Sequence, residues 1–263
     1  MKKKYSLTEI IQRPLKKRRK TVRTKWRFYP TEASCVSPRG KVIGKCIRAC
    51  AYQWLGYDET NPVGEFVKEC AEIGNYLEAK TISEFKQKGI FLEDMNKRDV
   101  RKQKIQIIDE ESVLSGEVDI YIGGGTQNAG VEVKSYYNST YKVEAAPKEN
   151  HLLQAFLYLC LFEPKQPYFL IYYRPNLKSP YAESDVVHRI DSVDIGGDIY
   201  PVINGEVEKR ITLGGIIERY ALLKKHVIAG QLPKREFSRN SKSCDMCVFK
   251  DQCWNRDKEG VNL

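Results

Sequence analysis

The 263-residue sequence predicts a mixed α/β fold, a central sheet flanked by helices, and three observations predict it. Apolar residues recur at helical spacing in three long segments. Short runs rich in β-branched residues lie between them. The two kinds alternate along the chain as helix, strands, helix, strand, the order expected of helices packed on a sheet. With 41% hydrophobic residues, a chain of this length can bury a full core, and it reads as a basic tail over residues 1–29 and one globular domain over residues 30–263.

The elements follow in order. Beyond Pro30, Pro38, Gly40 and Gly44, residues 46–55 read as a helix. Over residues 62–88, Phe66, Ala71, Ile73, Leu77, Ile82 and Phe85 keep a helical spacing, with Gly89 as the stop. The period then changes: Ile105, Ile107, Val113, Val118, Ile120 and Ile122 sit in short strand-like runs, Gly123-Gly124-Gly125 and Asn128 mark a turn, and residues 131–135 resume as a strand. An antiparallel meander is expected here. Residues 148–162 form an apolar helix closed by Pro164, and residues 168–173 a buried strand. Alternation at residues 186–190, a hairpin turn at Asn204-Gly205 and a helix over residues 211–229 complete the body, and the last thirty residues hold a cysteine cluster.

Charge is unevenly spread. Of 44 Lys and Arg residues, twelve lie in residues 1–27 against one acid, Glu9, which leaves 32 basic and 33 acidic residues for the rest. The net charge of +10 therefore belongs to the tail. Its run Lys16, Lys17, Arg18, Arg19 and Lys20 suits a nucleic-acid backbone through counterion release, and also reads as a nuclear targeting signal or a solvated extension. No apolar run approaches the roughly 20 residues that span a bilayer, and the N-terminus is charged. The expectation is an intracellular, cytoplasmic protein, nuclear in a eukaryote, with no membrane partner.

One constellation carries chemistry. Asp119 is followed thirteen residues later by Glu132, and Lys134 shares the Glu132 face of a strand because side chains alternate with a period of two. A hairpin would bring Asp119 beside them. Two carboxylates offer hard oxygen ligands to Mg2+ or Mn2+, and a lysine orients or helps deprotonate a water and offsets charge on a phosphorus centre under attack. The same pattern also suits a solvent-facing ion pair on an edge strand. The apolar flanks Val131, Val133, Ile120 and Ile122 argue instead for burial, where unpartnered charge is costly.

These motifs resemble the RecB-like branch of the PD-(D/E)xK nucleases, in which a G-x-x-D strand, an E-x-K strand and a Q-x-x-x-Y helix follow one another. Here they are Gly116 to Asp119, Glu132 to Lys134, and Gln154 to Tyr158. The resemblance implies a restriction-endonuclease-like core and a metal held by Glu78, Asp119, Glu132 and the Val133 carbonyl, with Gln154 and Tyr158 supporting the site. Glu78 stands where the family's G-x-x-x-H pattern has histidine, within Gly74-Asn75-Tyr76-Leu77-Glu78, and Glu72 and Glu69 are the alternatives.

Eight cysteines in a reducing compartment are buried hydrophobes or metal ligands. Cys50, Cys70 and Cys160 lie in apolar helical settings, whereas Cys244-x-x-Cys247-x5-Cys253 has metal-ligand spacing. The layout is similar to CRISPR-associated four-cysteine exonucleases and end-resection nucleases, where such a triplet and one N-terminal cysteine bind a 4Fe-4S cluster. The segment from Gly44 to Ala49 resembles the N-terminal part, which favours Cys46 over Cys35. Structural Zn2+ is the alternative.

Other signals carry less. Gly40-x-x-x-Gly44-Lys45 is one residue short of a phosphate-binding loop, and His151, His188 and His226 lack metal spacing, leaving His151, near Gln154, as a minor substrate contact. The resemblance implies a metal-dependent deoxyribonuclease, an exonuclease acting on DNA ends or single strands, with a helicase or other replication or recombination protein as partner. The rival reading is a non-catalytic nucleic-acid-binding or assembly protein that retains the fold.

Overall fold

The computed structural model describes residues 26–61, 64–124, 127–136, 143, 145–162, 166–174 and 184–256. It is a mixed α/β structure. Trp26–Phe28 (β1) precede a single turn at Pro30–Glu32, the hairpin Ser34–Val36 (β2) and Val42–Gly44 (β3), and the helices Ile47–Trp54 (α1) and Glu65–Gln87 (α2). A turn at Arg98–Arg101 leads into Lys102–Gln106 (β4), Ser112–Glu117 (β5), Ile120–Gly124 (β6) and Gln127–Ser135 (β7). Glu149–Leu157 (α3) runs on into a π-helical turn at Tyr158–Phe162. Tyr168–Tyr173 (β8), Ser184–Ile195 (β9), Asp198–Ile203 (β10), Glu206–Val207 (β11) and Leu213–Ile228 (α4) follow, and then a turn at Lys242–Asp245 and a second π-helical turn at Gln252–Arg256.

The larger sheet has the order β11-β10-β9-β8-β7-β6 and is antiparallel except at β7 and β8, which run parallel with α3 in their crossover. Its two faces bury different cores. Val131 and Val133 pack with Leu77 of α2 and Ile120, while Tyr168, Leu170 and Tyr172 of β8 join Leu153 and Phe156 of α3 in the main cluster. The smaller sheet, β1-β5-β4, pairs β1 parallel to β5.

The structure corrects two expectations. The folded body starts by Trp26, not at residue 30: Trp26–Phe28 pair with residues 112–114, and Phe28 is fully buried between the rings of Trp54 and Tyr220, at 5.4 and 5.0 Å. The expected meander is broken, because β5 and β6 belong to different sheets and the chain crosses between them at Val118-Asp119. Val118 and Ile120 are both buried, but in the two separate cores, so one continuous strand could not serve both. The basic run from Lys16 to Lys20 lies outside the described residues, as does the side chain of Cys70.

The C-terminal segment is tied to α1. Glu236 accepts from the Ile47 N–H at 3.0 Å, satisfying an amide at the helix start, and from Arg219 at 2.5 Å. Thr60 and Asn61 both donate backbone N–H groups to the Val248 carbonyl at 2.9 Å, and Phe249 packs on Tyr52 at 5.4 Å. Among the described residues no helix is long and apolar enough to cross a membrane.

Gly44, which ends β3, tests how tightly this junction is built. It has φ +90, and a Cβ there would stand 2.4 Å from the Leu153 side chain and 2.5 Å from the Ala33 carbonyl. Gly40, at φ +75, has open space around the same position. Urea unfolding of Gly40→Ala should show a loss of about 1–2 kcal/mol from the backbone alone. Gly44→Ala should lose about 1–3 kcal/mol more through the collision, and equal losses would mean that the α3 contact yields.

Candidate active site

Alternation on β7 sends Val131 and Val133 to the α2 side and Glu132 to the α3 side, where it is 1% exposed. A carboxylate so deeply buried needs hydrogen-bond donors. Gln154 of α3 donates to Oε1 at 2.7 Å, the Tyr168 hydroxyl donates to Oε2 at 3.2 Å, and Lys134, two residues along the same face, bonds Oε1 through Nζ. Gln154 and Tyr158 are four residues apart, which brings the Tyr158 hydroxyl to 3.5 Å from Gln154 Nε2. The Tyr158 ring stacks on that of Tyr168, with centroids 5.7 Å apart. Glu132, Lys134, Gln154 and Tyr158 thus meet in one network, and Tyr168 joins them.

Asp119 reaches this network from the sheet crossover. The pairing of β6 with β7 ends at Ile120 and Val131, so β7 runs on without a β6 partner. The Asp119 carboxylate fills the gap, accepting from the Val133 N–H at 3.1 Å in place of a ladder carbonyl. Burial, and then the charge of Glu132, push its pKa up to about 7, against the pull of Lys134. Burial alone would pull the Lys134 amine down, but Glu132, Asp119 and Glu78 outweigh it and hold the amine above its ordinary value.

Glu78 of α2 faces the cluster from the other side of the sheet edge. Burial and then Asp119 raise its pKa, while Arg101, 3.9 Å away, opposes the rise. Arg101 donates to the Asp119 carbonyl at 2.5 Å and pairs with Glu117 at 3.1 Å, so it clamps the crossover that places Asp119. Glu72 is exposed, and the side chain of Glu69 lies outside those described. Val133 brings only its backbone, since its side chain is buried under α2. His151 hydrogen-bonds the Tyr172 hydroxyl at 3.0 Å, and burial, with Lys134 and Lys148, pulls its pKa well down. Among the described residues, no three His, Cys, Asp or Glu side chains stand together closely enough to hold a metal ion. Lys134 draws Glu132 toward itself, and Glu78 leans to Arg101.

Two contributors escape sequence reasoning. Tyr168 lies across Gly130 of the neighbouring strand, where a Cβ would meet its ring at 2.4 Å. A glycine inside a strand signals such a close approach, so Gly130 was the available clue. Arg101 had none, because its partners are brought to it only by the change of sheet.

The cysteines form a second group. Cys46 at the start of α1 and Cys244, Cys247 and Cys253 line one pocket, walled by Tyr52 and Trp254. Cys35 is buried elsewhere, its Sγ 3.8 Å from the Arg210 carbonyl. Burial pushes the Cys46 thiol up to about 11, and it also raises Cys247, to which Cys244 and Cys253 add. Arg235 donates to the Cys253 carbonyl at 2.6 Å and lies over the Trp254 ring at 4.6 Å, holding the backbone at the last cysteine.

No protein-family model matches the chain, and no curated protein matches it. Among solved structures, one titled "Crystal structure of SSO0001" is similar at 16% identity with a TM-score of 0.45, covering 90% of each chain.

The buried charge of Asp119, penalised first by desolvation and then by Glu132, has a measurable sign. A carboxylate whose folded pKa lies above its unfolded value, about 3.9, costs stability as pH rises from there through the folded value. The cost is absent in acid and complete above pH about 8. Asp119→Asn keeps an oxygen to accept from Val133 and removes the charge. In chelator at pH about 8 it should melt higher than the wild type, by roughly 2–4 °C per kcal/mol of desolvation and repulsion relieved, with the gain fading toward pH about 4. A gain independent of pH would show that charge is not its cause.

Proposed function

We propose that this chain is a metal-dependent DNA nuclease of the RecB-like PD-(D/E)xK class, a phosphodiester hydrolase acting on DNA ends or single strands. The observation that carries the reading is the buried Glu132 and its donors: Lys134, Gln154 and Tyr168 hold one carboxylate while the Val133 N–H holds Asp119 beside it. A merely structural ion pair needs no second carboxylate whose pKa the first one raises.

The donor chemistry fits a hard divalent cation. Asp119, Glu132 and the Val133 carbonyl offer oxygen ligands, with Glu78 as the fourth, and the mutual repulsion of Asp119 and Glu132 is what a dication relieves. Mg2+ or Mn2+, when bound, supplies Lewis acidity toward the scissile phosphate and a more acidic water. The chain's own groups do the rest. Gln154 and Tyr168 fix Glu132 in one orientation, so its oxygens do not have to reorganise as charge develops. Lys134, held protonated by the carboxylates around it, orients the attacking water, whose proton passes to solvent, and offsets negative charge on the pentavalent phosphorus. The leaving oxygen takes its proton from solvent.

The four thiols that line the cysteine pocket are soft donors suited to a thiolate-bound centre, and because no three of them stand closely enough to hold an ion, binding would draw them together. We assign it a 4Fe-4S cluster, with Zn2+ as the alternative. Its part is to tie α1 to the C-terminal segment, and a restriction-endonuclease-like core would then close on itself. Unwinding of long duplexes would draw on a helicase partner.

Cleavage of end-labelled single- and double-stranded DNA by anaerobically purified protein should need Mg2+ or Mn2+ and stop in chelator. Glu132→Ala should lower the rate by about 10^3-fold or more. Tight DNA binding without cleavage in wild type and variant alike would favour the non-catalytic binding protein. For the cysteines, wild type and Cys35→Ser should carry about four iron atoms per chain. Cys46→Ser should lose them together with several degrees of melting temperature. Stoichiometric zinc in place of iron would move the assignment to Zn2+.

A further inference from the structure

The smaller sheet has a face that hydrolysis leaves unused. In the register of β4 and β5, Lys102 lies opposite Glu117 and Lys104 opposite Ser115, so these four side chains share one side of the sheet. Lys102 and Lys104 are exposed on the edge strand, and neither has an ion-pair partner among the described residues. Against this side opens a cleft of about 280 Å3, lined by Tyr29, Thr31, Lys102, Ser115, Glu117 and Tyr158. Tyr158 is the residue whose hydroxyl stands 3.5 Å from Gln154, and Glu117 precedes Asp119 by two positions. The cleft therefore abuts the carboxylate network.

We propose that this face seats the end of a DNA single strand, its phosphates along Lys104 and Lys102 and its terminal nucleoside in the cleft against Tyr29. The inference rests on the nuclease reading and adds to it a place for the strand. Single strands are held where a basic track meets an aromatic ring on which a base stacks, and this face offers the two lysines and the partly exposed Tyr29, whereas Tyr158 is buried with its ring on Tyr168. A duplex keeps its bases paired and stacked, so a cleft with one ring beside a basic edge strand favours a single strand, whose bases are free to stack. Glu117 at its wall is paired with Arg101 at 3.1 Å, so it does not repel an arriving phosphate as a bare carboxylate would.

The test is equilibrium binding of a fluorescent oligothymidylate to the full chain in chelator over a series of salt concentrations. Wild type is compared with the double variant Lys102→Ala/Lys104→Ala and with Thr31→Trp, an exposed position whose indole would fill the cleft. The double variant should bind about tenfold more weakly and show a salt slope shallower by about 1.4, roughly 0.7 for each phosphate that a lysine no longer neutralises. Thr31→Trp should weaken binding of the single strand and leave a duplex closed by hairpins at both ends unaffected. The N-terminal basic run is present in every variant, so it drops out of the comparison. Unchanged affinity and slope in the double variant, or an equal loss on the closed duplex, overturns the inference. Because the readout needs no cleavage, binding that weakens as expected in a protein that cuts nothing keeps the site and removes the nuclease reading. Cleavage with undiminished binding in the double variant does the reverse.

Discussion

A carboxylate taken out of water costs several kcal/mol unless donors replace its hydration, and Glu132 has almost none of its surface left in solvent. Much of the central architecture meets that demand. Gln154 must come from a helix that crosses between β7 and β8, Tyr168 from the start of β8, and Lys134 from the same face of β7. The parallel pairing of β7 and β8, an exception in an otherwise antiparallel sheet, is what puts α3 over this face and Tyr168 beside Gly130. A polar network of this kind is stable only when every member is satisfied.

Asp119 depends on a different constraint. It lies in the two-residue passage between two sheets, and its carboxylate replaces a missing ladder partner for Val133. Arg101 holds the passage by its carbonyl and by Glu117. The position is therefore determined by backbone pairing as well as by charge. That explains how a carboxylate pushed to about 7 by burial and by Glu132 is kept in place against its electrostatic preference.

The cysteine pocket lies at a seam between two distant parts of the chain. The C-terminal segment has little apolar periodicity and forms only short turns, yet it packs on α1 through Phe249, Glu236 and the carbonyl of Val248. The thiols of Cys46, Cys244, Cys247 and Cys253 line the pocket at that seam. A ligand shared by both sides would add most where covalent continuity and hydrophobic area add least.

The sequence alone determined the mixed α/β class, the three long helices to within a few residues, and two pairs, Glu132 with Lys134 and Gln154 with Tyr158, whose meeting the family resemblance implied. Strand and helix periods place these groups by local geometry, which spacing records. Spacing marked the C-terminal triplet, the family resemblance added Cys46, and the four share a pocket. Tertiary structure decided what depends on contacts distant in sequence. The transfer of the chain from one sheet to another at Val118-Asp119 is set by two cores competing for adjacent buried residues, and no local pattern records it. The pairing of Trp26–Phe28 with β5, the clamp of Arg101 and the hydrogen bond of Tyr168 follow in the same way, because each partner is supplied by an element far along the chain.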